Sequence, residues 1–446
     1  MTARCTGLWL IALMALAGAA SAQGVVVYRD ATLVDAAGAA TPAIAIVTRG
    51  ERIEAVGPMA GIAVPAGAKV VNVAGLYVAP GLINTHEHLA TEPNRPFAEA
   101  MMRRDLYGGV TTVRDMAGDA RQLADLARAA RVGEVRGPDI YYAALMAGPE
   151  FFDDPRTHAA TVGTVAGAAP WMQAVTPATD LPLAVARAQG TGATAIKIYA
   201  DLPADLVSAI THEAHRQGML VWAHAAVFPA SPAQVLDAGV DVVSHVCMLA
   251  YQASDAMPRA YHHRAGVDEA RFQAGDNPVV QRLFGAMRAR GAILDATLWV
   301  YDEMAHDQAL HPDGPTPYCS ARLAYRLANQ AWRAGVLISA GTDGFSPQAD
   351  PWPALQHEMA LLQDKAGMPP AAVLNAATLT GAMTLHLQDE TGTIAPGKLA
   401  NLVFVSANPL TSVTAFKSVV LTVKRGEAYW RKDYRPVTPA EMNGAD

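Results

Sequence analysis

Charge is scarce in this chain. Asp, Glu, Lys and Arg make up 17% of 446 residues, and a net charge of −7 leaves no room for a dominant basic patch. That excludes a typical nucleic-acid binder, and 51% hydrophobic content excludes a disordered chain. Cysteine is nearly absent: Cys5, Cys247 and Cys319. Cys247 and Cys319 could pair, and spacing alone does not decide it; a domain of this size needs no staple, so two buried free thiols are expected. A membrane-spanning run is also missing. The one long apolar stretch, Leu8 to Leu16, is too short and too rich in small residues. With Arg4 before it and Ala20-Ser21-Ala22 after it, it reads as a cleaved export signal over residues 1–22, a retained anchor being the alternative. No short internal repeat is present beyond an alternation of strand-like and helix-like segments.

That alternation organises the chain. Residues 23–80 hold short β-rich runs, Val25–Tyr28, Ala43–Val47, Ile53–Val56 and Lys69–Val73, with a hairpin turn expected at Arg49-Gly50. Residues 391–431 look similar, with Leu402–Val405 and Val419–Val423. Between them, residues 81–390 alternate apolar strands with Ala/Leu-rich helices, the pattern of βα units and a parallel sheet. The expected fold is therefore α/β: a (β/α)8 TIM-like barrel inserted in a small β-sandwich domain built from both chain ends. Residues 432–446 read as a polar, loosely ordered tail.

Several strands end on residues that bind metals. His86 and His88 lie one residue apart in Val78-Ala-Pro-Gly-Leu-Ile-Asn-Thr-His-Glu-His88, and side chains two apart on a strand point the same way, about 6–7 Å apart. Lys197 interrupts Ala195–Tyr199; His224 and His245 end two further runs; Asp343 ends Leu337–Asp343. Barrel active sites are built at such C-terminal strand ends. Imidazoles with a carboxylate suit Zn2+, with Mn2+, Co2+ or Fe2+ as alternatives. Lys197 is the odd member. Burial beside cations favours its neutral amine, which can add CO2 to become a carbamate, an anionic ligand for two divalent ions; a lysine ion-paired to a carboxylate would look the same in sequence.

In these residues the chain resembles the amidohydrolase superfamily, in its binuclear branch with a carboxylated lysine, and within it the imidazolonepropionase-like and prolidase-like enzymes. Beyond the six residues, Gly109-Val-Thr-Thr-Val-Arg-Asp115, Ala340-Gly-Thr-Asp343, Asn375-Ala-Ala-Thr378 and Gly392-Thr-Ile-Ala-Pro-Gly-Lys398 carry the likeness, which covers residues 25 to about 430. Asn401 departs from the usual pattern, in the β domain. The resemblance implies a hydrolase of amide bonds with two divalent metal ions: one on His86, His88 and Asp343, one on His224 and His245, both bridged by carboxylated Lys197 and a hydroxide. Asp343 would be the catalytic proton shuttle. The expected partner is a small-molecule amide or peptide, with dipeptides and N-acyl amino acids preferred, in the periplasm or outside the cell. No nucleic acid and no stable membrane insertion are expected, and a homo-oligomer stays open. A cyclic amide, lactone or organophosphate substrate is the alternative on the same ligands. A mononuclear deaminase has no need of Lys197, and a catalytically dead binding protein would have lost a ligand.

Other residues carry weaker signals. Tyr199 is two past Lys197, so its phenol would face the same cavity, as an oxyanion donor or as packing. Gly148–His158 is a long aromatic and charged stretch after strand three, fit for a substrate loop, with His158 as a candidate contact. His262-His263 lies in a loop after strand six, with His263 as a candidate contact. His212 and His215 share a solvated helix face. Arg114-Asp115 reads as a buried ion pair bracing the site, and Glu87 as pointing away from it.

Overall fold

A computed structural model describes residues 24–35, 38–262 and 264–443; the expected export signal and His263 lie outside them. Eight parallel strands form the barrel: β1 (Leu82–Glu87), β2 (Val110–Asp115), β3 (Asp139–Ala147), β4 (Ala195–Ile198), β5 (Leu220–His224), β6 (Val242–Ser244), β7 (Ile293–Asp295) and β8 (Leu337–Ser339). Each pairs in parallel with the next. β8 returns to β1 through Thr85 N donating to Ala340 O at 3.0 Å and Asp343 N to His86 O at 3.0 Å. The strands are buried on both faces, which is why they read as continuous apolar runs.

The inward face follows from the period of two. Ala195, Trp222, Val242 and Ile293 form one buried cluster inside the barrel with Met116, Ala143 and Leu385. Two residues further along each strand stand Lys197, His224, Ser244 and Asp295, one layer nearer the C-terminal mouth. An apolar floor thus supports a polar layer.

The second sheet has eight strands drawn from both ends of the chain. Its order is Glu427–Trp430, Val419–Lys424, Leu402–Val405, Tyr77–Pro80, Val25–Val34, Ala40–Arg49 and Arg52–Pro58, with Lys69–Asn72 beside Val25–Val34. Leu402 pairs with Pro80 and Phe404 with Val78. The expected turn is present: Arg49 faces Arg52 across Gly50, whose φ is 54°.

Two expectations are overturned. Cys247 and Cys319 are joined in a disulfide, with 6.3 Å between their Cα atoms; strand pairing and helix packing bring together residues that 72 positions of sequence do not. The expected loose tail is held down as far as Asn443. Glu441 accepts two hydrogen bonds from Arg103 Nη2, both 3.1 Å, Val437 is buried, and Pro439–Asn443 is helical. Glu441 pairs with both Arg103 and Arg435.

Candidate metal centre and substrate cavity

His86 is buried at the end of β1. Its Nδ1 lies 2.6 Å from Asp295 Oδ2, and its Nε2 lies 3.4 Å from Asp343 Oδ1. His88 places Nδ1 3.2 Å from Ala117 O and Nε2 3.0 Å from Asp343 Oδ1. His245 sets Nδ1 3.0 Å from Thr297 Oγ1 and 3.7 Å from Asp343 Oδ2. Its ring stands 5.0 Å from that of His86 and 4.7 Å from that of His224. His86, His245 and Asp343 offer donor atoms all within 4.8 Å of one another. His245, Thr297 and Asp343 hold left-handed φ angles of 73°, 51° and 53° at the mouths of β6, β7 and β8. Non-glycine residues in that region concentrate where the chain must aim a side chain. Gly341 is needed for the approach, since a Cβ there would collide with Asp295 Oδ1 and stand 2.8 Å from His86 Cβ.

Burial pushes the Asp343 carboxyl up, but His86, His88 and His245 outweigh it and hold the group well below the usual carboxylate range. Desolvation keeps His86, His224 and His245 neutral, His245 being lowered to about 3; neutral imidazole is the form that binds metals. Lys197 is fully buried, and its Nζ has no hydrogen-bond partner among the described residues. Burial, with the Arg114 charge adding to it, lowers its pKa to about 7. Among the described residues it ion-pairs with no carboxylate, the alternative that sequence left open. His224 Nδ1 is also buried and without a hydrogen-bond partner among the described residues. Each such orphan costs about 1–3 kcal/mol. Two of them in a layer with a histidine–carboxylate cluster fit a cavity built to take cations.

All six sequence-predicted ligands converge on one end of the barrel. Two other expectations need correction. Arg114 does not pair with Asp115. Adjacent strand residues face opposite ways, and Arg114 points into the barrel, donating from Nη2 to Asp295 Oδ2 at 3.0 Å and from Nε to Thr85 O at 2.5 Å. Asp115 instead accepts from the backbone N of Leu89 and of Ala117. His158 is exposed in the helix Pro155–Ala159 and does not line the cavity; Arg156 and Thr157 of that helix do. Glu87 does turn away, accepting from Asn84 Nδ2 at 2.7 Å. Asp295, which sequence reasoning missed, takes hydrogen bonds from His86, Arg114, Ser244 and Thr85. A lone acid at an inward position of an apolar strand was its available signal, the same one that marked Lys197.

Above the ligands lies a cavity of about 280 Å3. His88 and Asp343 form one side; Leu145, Phe151, Met172 and Val300 supply apolar wall, and Tyr199 and Arg156 close it. Tyr199 stacks on Phe151 at 4.4 Å and packs 3.9 Å from the His224 ring. Burial raises its pKa, so its phenol stays protonated. A larger cavity, about 640 Å3, opens beside Asp241 and Ile293 at the opposite end of the barrel, away from these ligands.

Residues 77–429 match the Amidohydrolase family. In structure the chain is similar to a candidate prolidase from Bifidobacterium longum, with a TM-score of 0.71 and 27% identity, covering 94% of this chain and 98% of that one. It also shares the fold of a Xaa-Pro dipeptidase with methionine bound in its active site, at TM-score 0.73 and 21% identity, covering 91% of this chain and 100% of that one. In sequence it is 37% identical over 98 residues to an adenine deaminase of Rubrobacter xylanophilus, a stretch spanning 20% of this chain and only 16% of that enzyme.

Proposed function

Because the chain belongs to the amidohydrolase family, we propose that it is a metal-dependent hydrolase cleaving the amide bond of dipeptides or N-acyl amino acids. The observation that carries this is the convergence of His86, His88, Lys197, His224, His245 and Asp343 on one barrel mouth, with Lys197 Nζ buried and unpartnered. His86, His88 and Asp343 would hold one divalent ion, Zn2+ by donor chemistry, and His224 and His245 a second; Lys197 would carry a CO2-derived carbamate as a further anionic ligand. Such ions, when bound, supply Lewis acidity toward a carbonyl and lower the pKa of water.

The chain's own residues account for the rest. Asp343 is an ionised carboxylate that also lines the substrate cavity, so it can accept a proton at Oδ1 or Oδ2 and deliver it to the departing amine. Tyr199, held neutral, can donate from its hydroxyl to charge developing on the carbonyl oxygen. Leu145, Phe151 and Met172 exclude water and seat an apolar group. The likeness to a candidate prolidase at 27% identity supports the dipeptide class. Export to the periplasm or beyond is part of the same reading, supported by the Cys247–Cys319 disulfide, a bond typical of oxidising compartments, and by the reading of residues 1–22 as a signal.

The test is metal analysis together with a panel of dipeptides and N-acyl amino acids. Metal bound in proportion to chain, with turnover of panel members that a chelator abolishes, is the expected result. Metal-loaded protein that hydrolyses no member of the panel overturns the reading.

A further inference from the structure

We propose that Arg156 binds a free carboxylate on the amino acid that leaves, so that the substrate is selected by its terminal acid group; this rests on the hydrolase reading above. Among the described residues lining the substrate cavity, the charged side chains are His88 and Asp343 at the candidate metal centre and Arg156. Its guanidinium carbon lies 5.9 Å from the Tyr199 ring centre, and the Tyr199 ring lies 3.9 Å from that of His224. The Tyr199 ring is therefore a neighbour shared by the guanidinium and a proposed metal ligand. Because Arg156 lines the same small cavity as His88 and Asp343, a short substrate can place its amide carbonyl at the metals and its carboxylate at the guanidinium.

Arg156 is also held ready. Asp154, itself only 6% exposed, accepts from Nε at 3.0 Å and from Nη2 at 2.7 Å, and takes the backbone N of Arg156 at 2.9 Å. A guanidinium has five N–H donors on two usable edges. Asp154 occupies the Nε edge, and among the described residues Nη1 has no hydrogen-bond partner. The fork is thus fixed before a ligand arrives, which lowers the entropy lost on binding. The cavity volume of about 280 Å3 is at the small end for ligand pockets. A short substrate whose terminal acid reaches Arg156 matches that size better than a long peptide.

The test compares the N-acetyl derivatives of leucine, methionine, phenylalanine and proline with their carboxamides. The metal-loaded full chain is used as wild type, Arg156→Met and Arg156→Lys. Turnover is measured directly, and binding by calorimetry in an Asp343→Asn background. The expected result is a preference for acid over carboxamide that R156M reduces about 10- to 100-fold, the range of a charge-assisted contact. R156K should recover part of it, and carboxamide binding should not change. Acid and carboxamide bound equally by the wild type, a preference that survives in R156M, or no binding of any member overturns the assignment. Acid-selective binding without turnover leaves Arg156 in its role and removes the hydrolase reading. Turnover without acid preference does the reverse.

Discussion

Asp295 Oδ2 lies 2.6 Å from His86 Nδ1, and both side chains are buried. The carboxylate fixes which imidazole nitrogen faces inward, so Nε2 is presented toward Asp343. It also neutralises Arg114. Asp295→Asn should weaken Zn2+ binding about 10- to 100-fold, as loss of such outer partners does. It should also lower the unfolding free energy by about 3–5 kcal/mol, because Arg114 is left charged and unpaired. A chelator-competition titration and a urea melt check the two effects.

Asp343→Asn keeps an oxygen donor but cannot take a proton. It should retain much of the bound metal while turnover falls by about 10²- to 10⁴-fold, the usual contribution of a positioned acid–base group. Near-normal activity with full metal content would exclude Asp343 as the proton shuttle.

Lys197→Met removes the amine that can add CO2 and leaves an apolar chain of similar length. Metal content should drop to roughly one ion per chain from roughly two, since the second ion loses its anionic ligand. In the wild type, 13C-labelled bicarbonate should give a carbamate NMR signal that the variant lacks. An unchanged metal ratio would rule out a ligand role for Lys197.

Glu358 is buried and accepts from Trp299 N at 2.6 Å. Burial raises its pKa from the ordinary 4.5 to about 8. Folded chains therefore keep a proton that unfolded chains release. The stability tied to it is intact below pH 4.5, declines as pH rises, and is gone above about pH 8. Glu358→Gln, neutral throughout, should flatten that decline, by an amount on the order of a few kcal/mol. Thermal melts from pH 5 to 8 give the comparison; parallel slopes for the two proteins would refute the assignment.

Replacing both Cys247 and Cys319 with serine opens a loop closed over 72 positions. Chain entropy alone then predicts a loss of about 4 kcal/mol. Denaturant midpoints with and without reductant measure it, and reductant should shift the wild type only.

The barrel, and the placement of the six candidate ligands at its C-terminal mouth, were legible because they obey one simple rule: each ends or interrupts an apolar run, and the period of two assigns its face. Partners across the barrel were not. Arg114 pairs with Asp295, and only the closed sheet brings strands two and seven together. The segment after β3 read as a candidate substrate loop does line the cavity, yet His158 was chosen where Arg156 faces it. In the short helix that forms there, two positions are more than half a turn, so the two side chains diverge. The disulfide and the anchored tail failed for the same reason as Asp295, since residue type shows what a side chain can do and not which neighbour it meets.

The outer sheet has a consequence for the order in which the chain is made. Tyr77–Pro80 runs directly into β1, and its partner on one side is Leu402–Val405. During synthesis, the edge of Tyr77–Pro80 stays bare until that late segment emerges. The entrance to the first barrel strand is therefore secured only when nearly all the chain exists.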